Sequence, residues 1–317
     1  MQTVLDQFIY TMTSSPALWV GLVCLFGLMV GSFLNVVIHR LPIMLNRDWR
    51  AQAQELLSEQ PAADGKPDGI RLSNPQPAAE PYNLVEPRSA CPKCRAPITA
   101  LQNIPVISYL VLKGRCANCG NPISVRYPIV ELVTAILSAV VAWRFGVHWY
   151  TGAALLLTWF LIALSAIDFD TGFLPDDMTM PLIWMGLLLS LAGTDAALGL
   201  PVDMRSSILG AVCGYLSLWC VYHVYRLITG QEGMGFGDFK LFAALGAWLG
   251  WKMLPLIILL SACTGAVVGI VLIAVYGRDR KIPIPFGPYL AAAGWIALLW
   301  GEQIVGTYMR VSGLDRS

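Results

Sequence analysis

The run ALWVGLVCLFGLMVGSFLNVVI, residues 17–38, decides the fold class. It contains no charged side chain and is long enough to cross a hydrocarbon core of roughly 30 Å, which takes about 20 residues of helix. Asp6, rather than a lysine or arginine, precedes it. It leads into His39-Arg40-Leu41-Pro42 without a small-residue cleavage pattern, so it reads as a retained spanning helix and not a secretory signal.

The rest of the chain repeats this character. Of 317 residues, 56% are hydrophobic and 13% are charged, against roughly 25% charged in soluble domains. Further apolar runs lie at 128–147, 151–167, 178–193, 204–228, 239–251, 254–276 and 286–306. The run at 239–251 is short and interrupted by glycines, so it reads as a half-span or as a tilted continuation of its neighbour. The expected fold is an all-α polytopic membrane protein with about eight transmembrane helices. Three parts are expected: a first transmembrane helix (1–39), a loop with a metal module (40–127) and a multi-helix membrane domain (128–317). No repeat with a period of roughly 20 to 50 residues stands out.

Charge sets the orientation. Residues 40–126 hold 11 of the 21 lysines and arginines, and nothing before them holds any. The positive-inside rule then places this segment in the cytoplasm. With eight crossings, that side carries 16 basic residues against 5 outside. The net charge of +1 gives no sign of a nucleic-acid partner. Residues 51–82, rich in alanine, glutamine and proline, cannot assemble a core and are expected to be irregular.

Within the loop, Cys91-Pro-Lys-Cys94 and Cys116-Ala-Asn-Cys119 form two C-x2-C knuckles with 21 residues between them. This is close to the spacing of closed, structural four-cysteine zinc sites. Gly120 suits the backbone angles such a turn requires. The competing reading, two disulfides, conflicts with a reducing cytoplasm. Cys24, Cys213, Cys220 and Cys263 lie in apolar runs, where a thiol packs as a small hydrophobe.

Acidic groups gather where two runs meet the same membrane face. Ser165-Ala-Ile-Asp168-Phe-Asp170 closes one run and is followed by Leu174-Pro-Asp176-Asp177. Gly233-Met-Gly235-Phe-Gly237-Asp238-Phe-Lys240 opens another. Ionisable groups at membrane depth demand an explanation. Two carboxyls within reach of each other share a proton, one taking a proton from water while the other protonates a peptide carbonyl. Gly235 and Gly237 would let a peptide lie beside Asp238. Aspartates that merely face water at helix ends fit the same spacing.

Other residues have plainer readings. Glu131, just inside a span, is expected to be a hydrated partner of Arg126. Gly27 and Gly31 permit close helix approach, and Ser32 and Asn35 offer hydrogen bonds across helices. His39, His148 and His223 form no catalytic or metal-binding group. Trp143, Trp149 and Tyr150 suit an aromatic belt at the outer boundary.

Taken together, Gly31-Ser-Phe-Leu-Asn35-Val-Val-Ile-His-Arg40-Leu-Pro42, the two knuckles, Gly114-Arg115, Arg126-Tyr-Pro128-Ile-Val-Glu131, Ile167-Asp168 with Leu174-Pro-Asp176, and Gly235-Phe-Gly-Asp238-Phe-Lys240 carry a resemblance. Over nearly its whole length the chain resembles the type IV prepilin leader peptidase and N-methyltransferase family, bifunctional enzymes of type IV pilus and type II secretion systems. The resemblance implies a multi-pass protein of the bacterial inner membrane with Asp168 and Asp238 as its catalytic pair. It implies cleavage of prepilins and pseudopilins after the glycine that ends a short basic leader. It further implies methylation of the new amino terminus by S-adenosylmethionine, with zinc on Cys91, Cys94, Cys116 and Cys119, and Gly114 and Arg115 as conceivable contributors near the module. No strand followed by a G-x-G loop signals a Rossmann-like donor site. Three alternatives remain open: a leader peptidase lacking the methyltransferase activity, an ion-coupled transporter, and a membrane-tethered zinc-binding module.

Overall fold

The computed structural model describes residues 2–59, 82–99, 101–195, 198–231, 233–275, 277 and 284–313. Among them the regular elements are helical: α1 (Gln2–Ser14), α2 (Pro16–Glu59), α3 (Ile107–Val111), α4 (Arg126–Phe145), α5 (Trp149–Thr171), α6 (Asp176–Leu189), α7 (Met204–Thr229), α8 (Phe236–Leu249), α9 (Leu254–Ala274) and α10 (Gly287–Val311). Short 3-10 turns at Leu101–Asn103, Ser190–Ala192 and Trp251–Met253 and isolated bridges, Ala90 with Pro97 and Arg115 with Pro122, supplement them.

Five helical segments are long and apolar enough to cross a membrane: 16–57, 126–145, 149–171, 204–229 and 251–274. The chain is an all-helical integral membrane protein. These five are found among the described residues, and the expected count of eight crossings is left open by α6, α8 and α10. α6 and α8 are short. Each has 14 residues, which gives about 21 Å at 1.5 Å per residue, short of a full span.

α8 shows why its run is short. It is apolar on every side, and 11 of its residues from Asp238 to Leu249 are buried, as expected of a helix enclosed by other helices rather than lipid. It packs between α6, α7 and α10, and glycines bring the backbones together. A Cβ at Gly210 of α7 would strike the Gly246 carbonyl, and one at Gly214 would lie 2.7 Å from the Phe242 carbonyl oxygen. Ser207 Oγ donates to the Ala247 carbonyl at 2.6 Å, and Trp248 Nε1 to that of Leu182 at 2.8 Å.

α2 and α4 pack as the glycine spacing predicts. A Cβ at Gly27 would lie 2.9 Å from Ala135 Cα, and one at Gly31 would lie 2.7 Å from Glu131 Cα.

Several expectations need correction. α2 does not stop at residue 38 but runs through Pro42 to Glu59, so residue 39 falls inside a helix. Pro42 cannot donate the bond to the carbonyl four residues back, yet one lost bond does not end a helix already anchored on α4. Residues 51–59, expected to be irregular, are helical, and 60–81 lie outside the described residues. α1 was not foreseen. Tyr150 is not at a lipid boundary: it is 0% exposed and stacks edge-on against Phe145.

The extended α2 gives the loop its footing. Arg40 is buried, its Nη1 donating to the Asn83 carbonyl at 2.9 Å and its Nη2 to the Pro87 carbonyl at 2.6 Å. Arg47 covers the Tyr82 ring at 4.2 Å. Trp49 meets Phe173, in the α5–α6 connection, edge to face.

Candidate active site

α5 closes on Gly172, whose φ of +65° and amide bond to the Asp168 carbonyl make a left-handed cap. The chain then turns through Phe173, Leu174 and Pro175 into α6. Asp168 and Asp170, two residues apart, project to different sides of α5. Asp168 is 5% exposed, and its Oδ2 accepts from the Gly287 amide at 3.0 Å, at the start of α10.

Asp238 sits in the first turn of α8, 7% exposed, where the partial positive charge of a helix N-terminus favours an acid. Its carboxyl is near enough to that of Asp168 for each to feel the other's charge. Asp238 Oδ1 is buried without a protein partner. Beside it Tyr222, Phe236 and Phe239 form an aromatic cluster with ring centroids 5.3 to 5.7 Å apart.

Leu174 packs against the backbone beside each acid, at Gly237 and at Gly287. A Cβ at Gly237 would lie 2.6 Å from Leu174 Cβ, and one at Gly287 would lie 3.2 Å from Leu174 Cδ1 and 2.6 Å from Asp168 Oδ2. Gly237 is therefore occupied by an internal contact rather than left open for a peptide. Gly235 is the open glycine: its nearest neighbour would be Asp238 Oδ2 at 3.9 Å.

The neighbouring acids differ in kind. Asp170 pairs with Arg126 at 2.5 Å. Asp176 receives both of its bonds from Lys240 Nζ, at 2.6 and 2.7 Å. Asp177 is exposed in the first turn of α6. The pairing of Arg126 with Asp170 corrects the expected pairing with Glu131. Glu131 is instead buried between helices, bonded to Ser32 and accepting the Val106 amide at 2.7 Å. Asn35 Nδ2 donates to the Tyr127 carbonyl at 3.1 Å.

The structural role of Gly287 was missed in the sequence. A glycine directly before Pro288, at the start of an apolar helix, was its only local signal.

The two knuckles fold alike. In each, the first cysteine's carbonyl accepts an amide four residues on, Arg95 or Gly120, and its own amide donates to the carbonyl five residues on, Ala96 or Asn121. Arg95 and Gly120 both have positive φ, 56° and 68°. A repeat with a period of 25 residues was therefore present after all: Cys-x2-Cys-x2-Pro-Ile at 91–98 and again at 116–123. Gly114 and Arg115 form the arm of the second knuckle, Gly114 accepting the Ile123 amide at 2.8 Å.

The four Sγ atoms lie within 4.8 Å of one another, with Cys91 to Cys119 at 3.8 Å and Cys94 to Cys116 at 4.0 Å. Thiolates on a tetrahedral zinc, with bonds of about 2.3 Å, stand about 3.8 Å apart. No cysteine among the described residues is in a disulfide. The Cys94 thiol is pulled down to about 6 by the Ala96 amide and then by Asn118, which favours the thiolate form that metals bind. Cys213, Cys220 and Cys263 are exposed on helix surfaces rather than packed inside.

A cleft of about 340 Å³ opens between α2, the start of α4 and the end of α5, lined by Asn35, His39, Arg126, Tyr127 and Asp170 among others. A larger cavity of about 500 Å³ lies at the opposite end of the bundle, with Arg144, Arg205 and Lys252 in its wall, remote from both the aspartates and the cysteines.

Residues 25–145 match the bacterial peptidase A24 N-terminal domain, and residues 155–270 match the type IV leader peptidase family. The chain is 54% identical over 294 residues to a prepilin leader peptidase/N-methyltransferase of Aeromonas hydrophila, covering 93% of this chain and 95% of that protein. It is 50% identical over 302 residues to one of Pseudomonas aeruginosa, covering 95% and 97%, and 49% identical over 285 residues to one of Neisseria gonorrhoeae, covering 90% and 92%. No solved structure matches. Two domain matches and relatives aligned over nine-tenths or more of both chains agree: the chain belongs to the prepilin leader peptidase/N-methyltransferase family.

Proposed function

We propose that Asp168 and Asp238 are the catalytic pair of a membrane aspartic endopeptidase that removes the basic leader of type IV prepilins and type II secretion pseudopilins. The observation that carries this is the burial of two carboxyls from different helices side by side, while Asp170 and Asp176 are tied in ion pairs. In the proposed reaction a water lies between the pair. One carboxylate takes its proton as the oxygen attacks the carbonyl carbon of the leader's last glycine, and the other carboxyl protonates the carbonyl oxygen. As the tetrahedral intermediate collapses, the carboxyl that took the water proton gives it to the departing nitrogen while the other carboxylate recovers a proton from a hydroxyl, which releases the leader and a new amine. The Gly287 amide holds Asp168 in place, and the orphaned Oδ1 of Asp238 faces the reaction as a free acceptor or donor.

Asp168 lies one turn from the end of α5 and Asp238 in the first turn of α8. This depth suits a substrate whose leader is in water and whose helix is in the bilayer, and it disfavours a transporter, whose acids belong near the midplane. The basic segment supports a cytoplasmic orientation of this face, and the family resemblance supports an inner-membrane setting.

The same reading assigns structural zinc to Cys91, Cys94, Cys116 and Cys119, and S-adenosylmethionine to the cleft beside Asp170. Its volume falls in the range of small-molecule sites. Tyr127, Arg126 and Asp170 line this cleft and would hold the donor there, an aromatic ring and a paired cation and anion suiting its adenine and its amino-acid end. The donor supplies an electrophilic methyl group that a neutral amine accepts. In domain terms, 1–39 is the first spanning segment, 40–127 the zinc-bearing insert and 128–317 the peptidase body.

The test is cleavage of a prepilin by the wild-type enzyme and by Asp168→Asn and Asp238→Asn, with labelled S-adenosylmethionine and already mature pilin as a separate methyl acceptor. Cleavage is expected to fall by about a hundredfold or more in each variant, the scale of lost acid–base catalysis, with methylation of mature pilin retained. Cleavage that survives either substitution removes that residue from the catalytic role.

A further inference from the structure

The segment between the two knuckles carries a feature that neither metal binding nor catalysis uses. From Ala96 to Leu112 there is no charged residue, and the centre of the stretch reads Ile104-Pro-Val-Ile-Ser-Tyr-Leu-Val-Leu112. A loop between zinc knuckles in water would be polar. Here Leu101, Ile107, Leu110 and Val111 are 77, 57, 67 and 73% exposed, an apolar surface with no protein cover.

The position of this loop is fixed by a bond into the membrane domain. Glu131 of α4 accepts the Val106 amide at 2.7 Å. Glu131 is five residues past the start of α4, about 8 Å along the axis, and helical side chains slant back toward the helix start. The Val106 amide is thus held within the first turns of a spanning helix. Interfacial segments bury roughly 5–10 Å below the headgroups, which is the same depth. Val106 adopts a φ of +58°, a costly angle for a β-branched residue, so the surroundings must hold it there.

The outer face of α4 continues the same apolar surface through Ile129, Leu132, Val133 and Ile136, which are 52, 43, 39 and 56% exposed. Exposed basic residues flank the loop on both sides, Lys93 and Arg95 before it and Lys113 and Arg115 after it. Cations at that level complement anionic headgroups.

We infer that the segment 101–112 is a membrane-inserted loop, its apolar side chains among the acyl chains and its four flanking cations among the headgroups. The zinc module then rests on the bilayer rather than standing free in water.

The test places a photoreactive benzophenone amino acid at Leu110, at Ile136 on the α4 face, or at Asn118 on the second knuckle. The full-length protein is reconstituted in vesicles of phosphatidylethanolamine with a minority of phosphatidylglycerol, irradiated and weighed intact. The inference expects a phospholipid adduct at Leu110 in a yield similar to that at Ile136 and about tenfold above Asn118, as an acyl-depth position requires. If Ile136 is labelled by lipid while Leu110 behaves like Asn118, the inference fails and the membrane setting of the helices stands. Cross-links from Leu110 to a second copy of the chain or to added prepilin, in place of lipid, also overturn it. Zinc content of each variant checks that the knuckles are folded.

Discussion

At the scale of the residue, the site depends on absences as much as on groups. Gly287 has no unusual φ, so alanine there is conformationally acceptable, but its Cβ would come 2.6 Å from Asp168 Oδ2. The carboxyl would have to shift, and misplacement of a reacting group by about 1 Å costs on the order of a hundredfold. Gly287→Ala is therefore expected to depress prepilin cleavage between tenfold and a hundredfold, roughly that scale, while methylation of mature pilin is unchanged. Initial-rate assays of both reactions on one preparation check this. That Asp168 and Asp238 lie at span ends was legible in the sequence, while their selection as a pair came from the family resemblance. The role of Gly287 was not legible, because its partner lies 119 residues away and no local pattern encodes that meeting. Glu131 was misread for the same reason. Its neighbour in sequence, Arg126, is claimed by Asp170, and its own bond goes to a loop amide.

At the scale of the element, α8 holds Asp238 in place through backbone contact with α7. Where Gly210 meets Gly246 there is no room for a methyl group on either side, and small residues at such crossings are what lets membrane helices approach. Gly246→Ala is expected to cost about 1–3 kcal/mol, the scale of overpacking, and to lower cleavage by moving the start of α8. Gly152→Ala serves as the control: nothing lies within 4 Å of its added Cβ, so removing this glycine near the start of α5 should leave stability equal or raised by up to about 1 kcal/mol. Thermal unfolding of the purified protein, followed alongside cleavage, separates the two. Equal losses in both variants would contradict the tight-crossing account. Hydropathy alone found α4, α5, α7 and α9 within a few residues of their bounds. It could not tell a short span from a buried helix, since the run at 239–251 is as apolar as a span but is surrounded by protein. It also ended α2 at the first polar residues, whereas packing on α4 and the anchoring of Asn83 and Pro87 by Arg40 carry the helix past Pro42.

At the scale of the whole molecule, two chemistries share one membrane body, and the zinc insert is the part with the least core of its own. Among its cysteines only Cys91 is buried, and between residues 82 and 125 the regular structure described amounts to two bridges, one 3-10 turn and the five-residue α3. A unit of this kind folds on its metal, whose binding free energy is on the order of 10 kcal/mol. The peptidase pair has other supports, namely Gly287, Leu174 and the α7–α8 crossing, none of which belongs to the insert. Among the described residues the two are linked by the Val106 amide on Glu131, by Trp49 against Phe173, and by Arg126, which begins α4 just after the second knuckle and pairs with Asp170 on the surface. Such an exposed pair contributes up to about 1 kcal/mol. Stripping zinc with a chelator, or replacing Cys94→Ser together with Cys116→Ser, should therefore release the amide protection of residues 91–123 in hydrogen exchange. Methylation of mature pilin should be lost, while cleavage slows by no more than about fivefold, the equivalent of that ion pair. Restoring zinc to the wild-type protein should return protection and methylation together. Complete loss of cleavage on zinc removal, with α5, α8 and α10 still protected, would show that the insert supports the aspartates directly and that the two activities are not separable by metal.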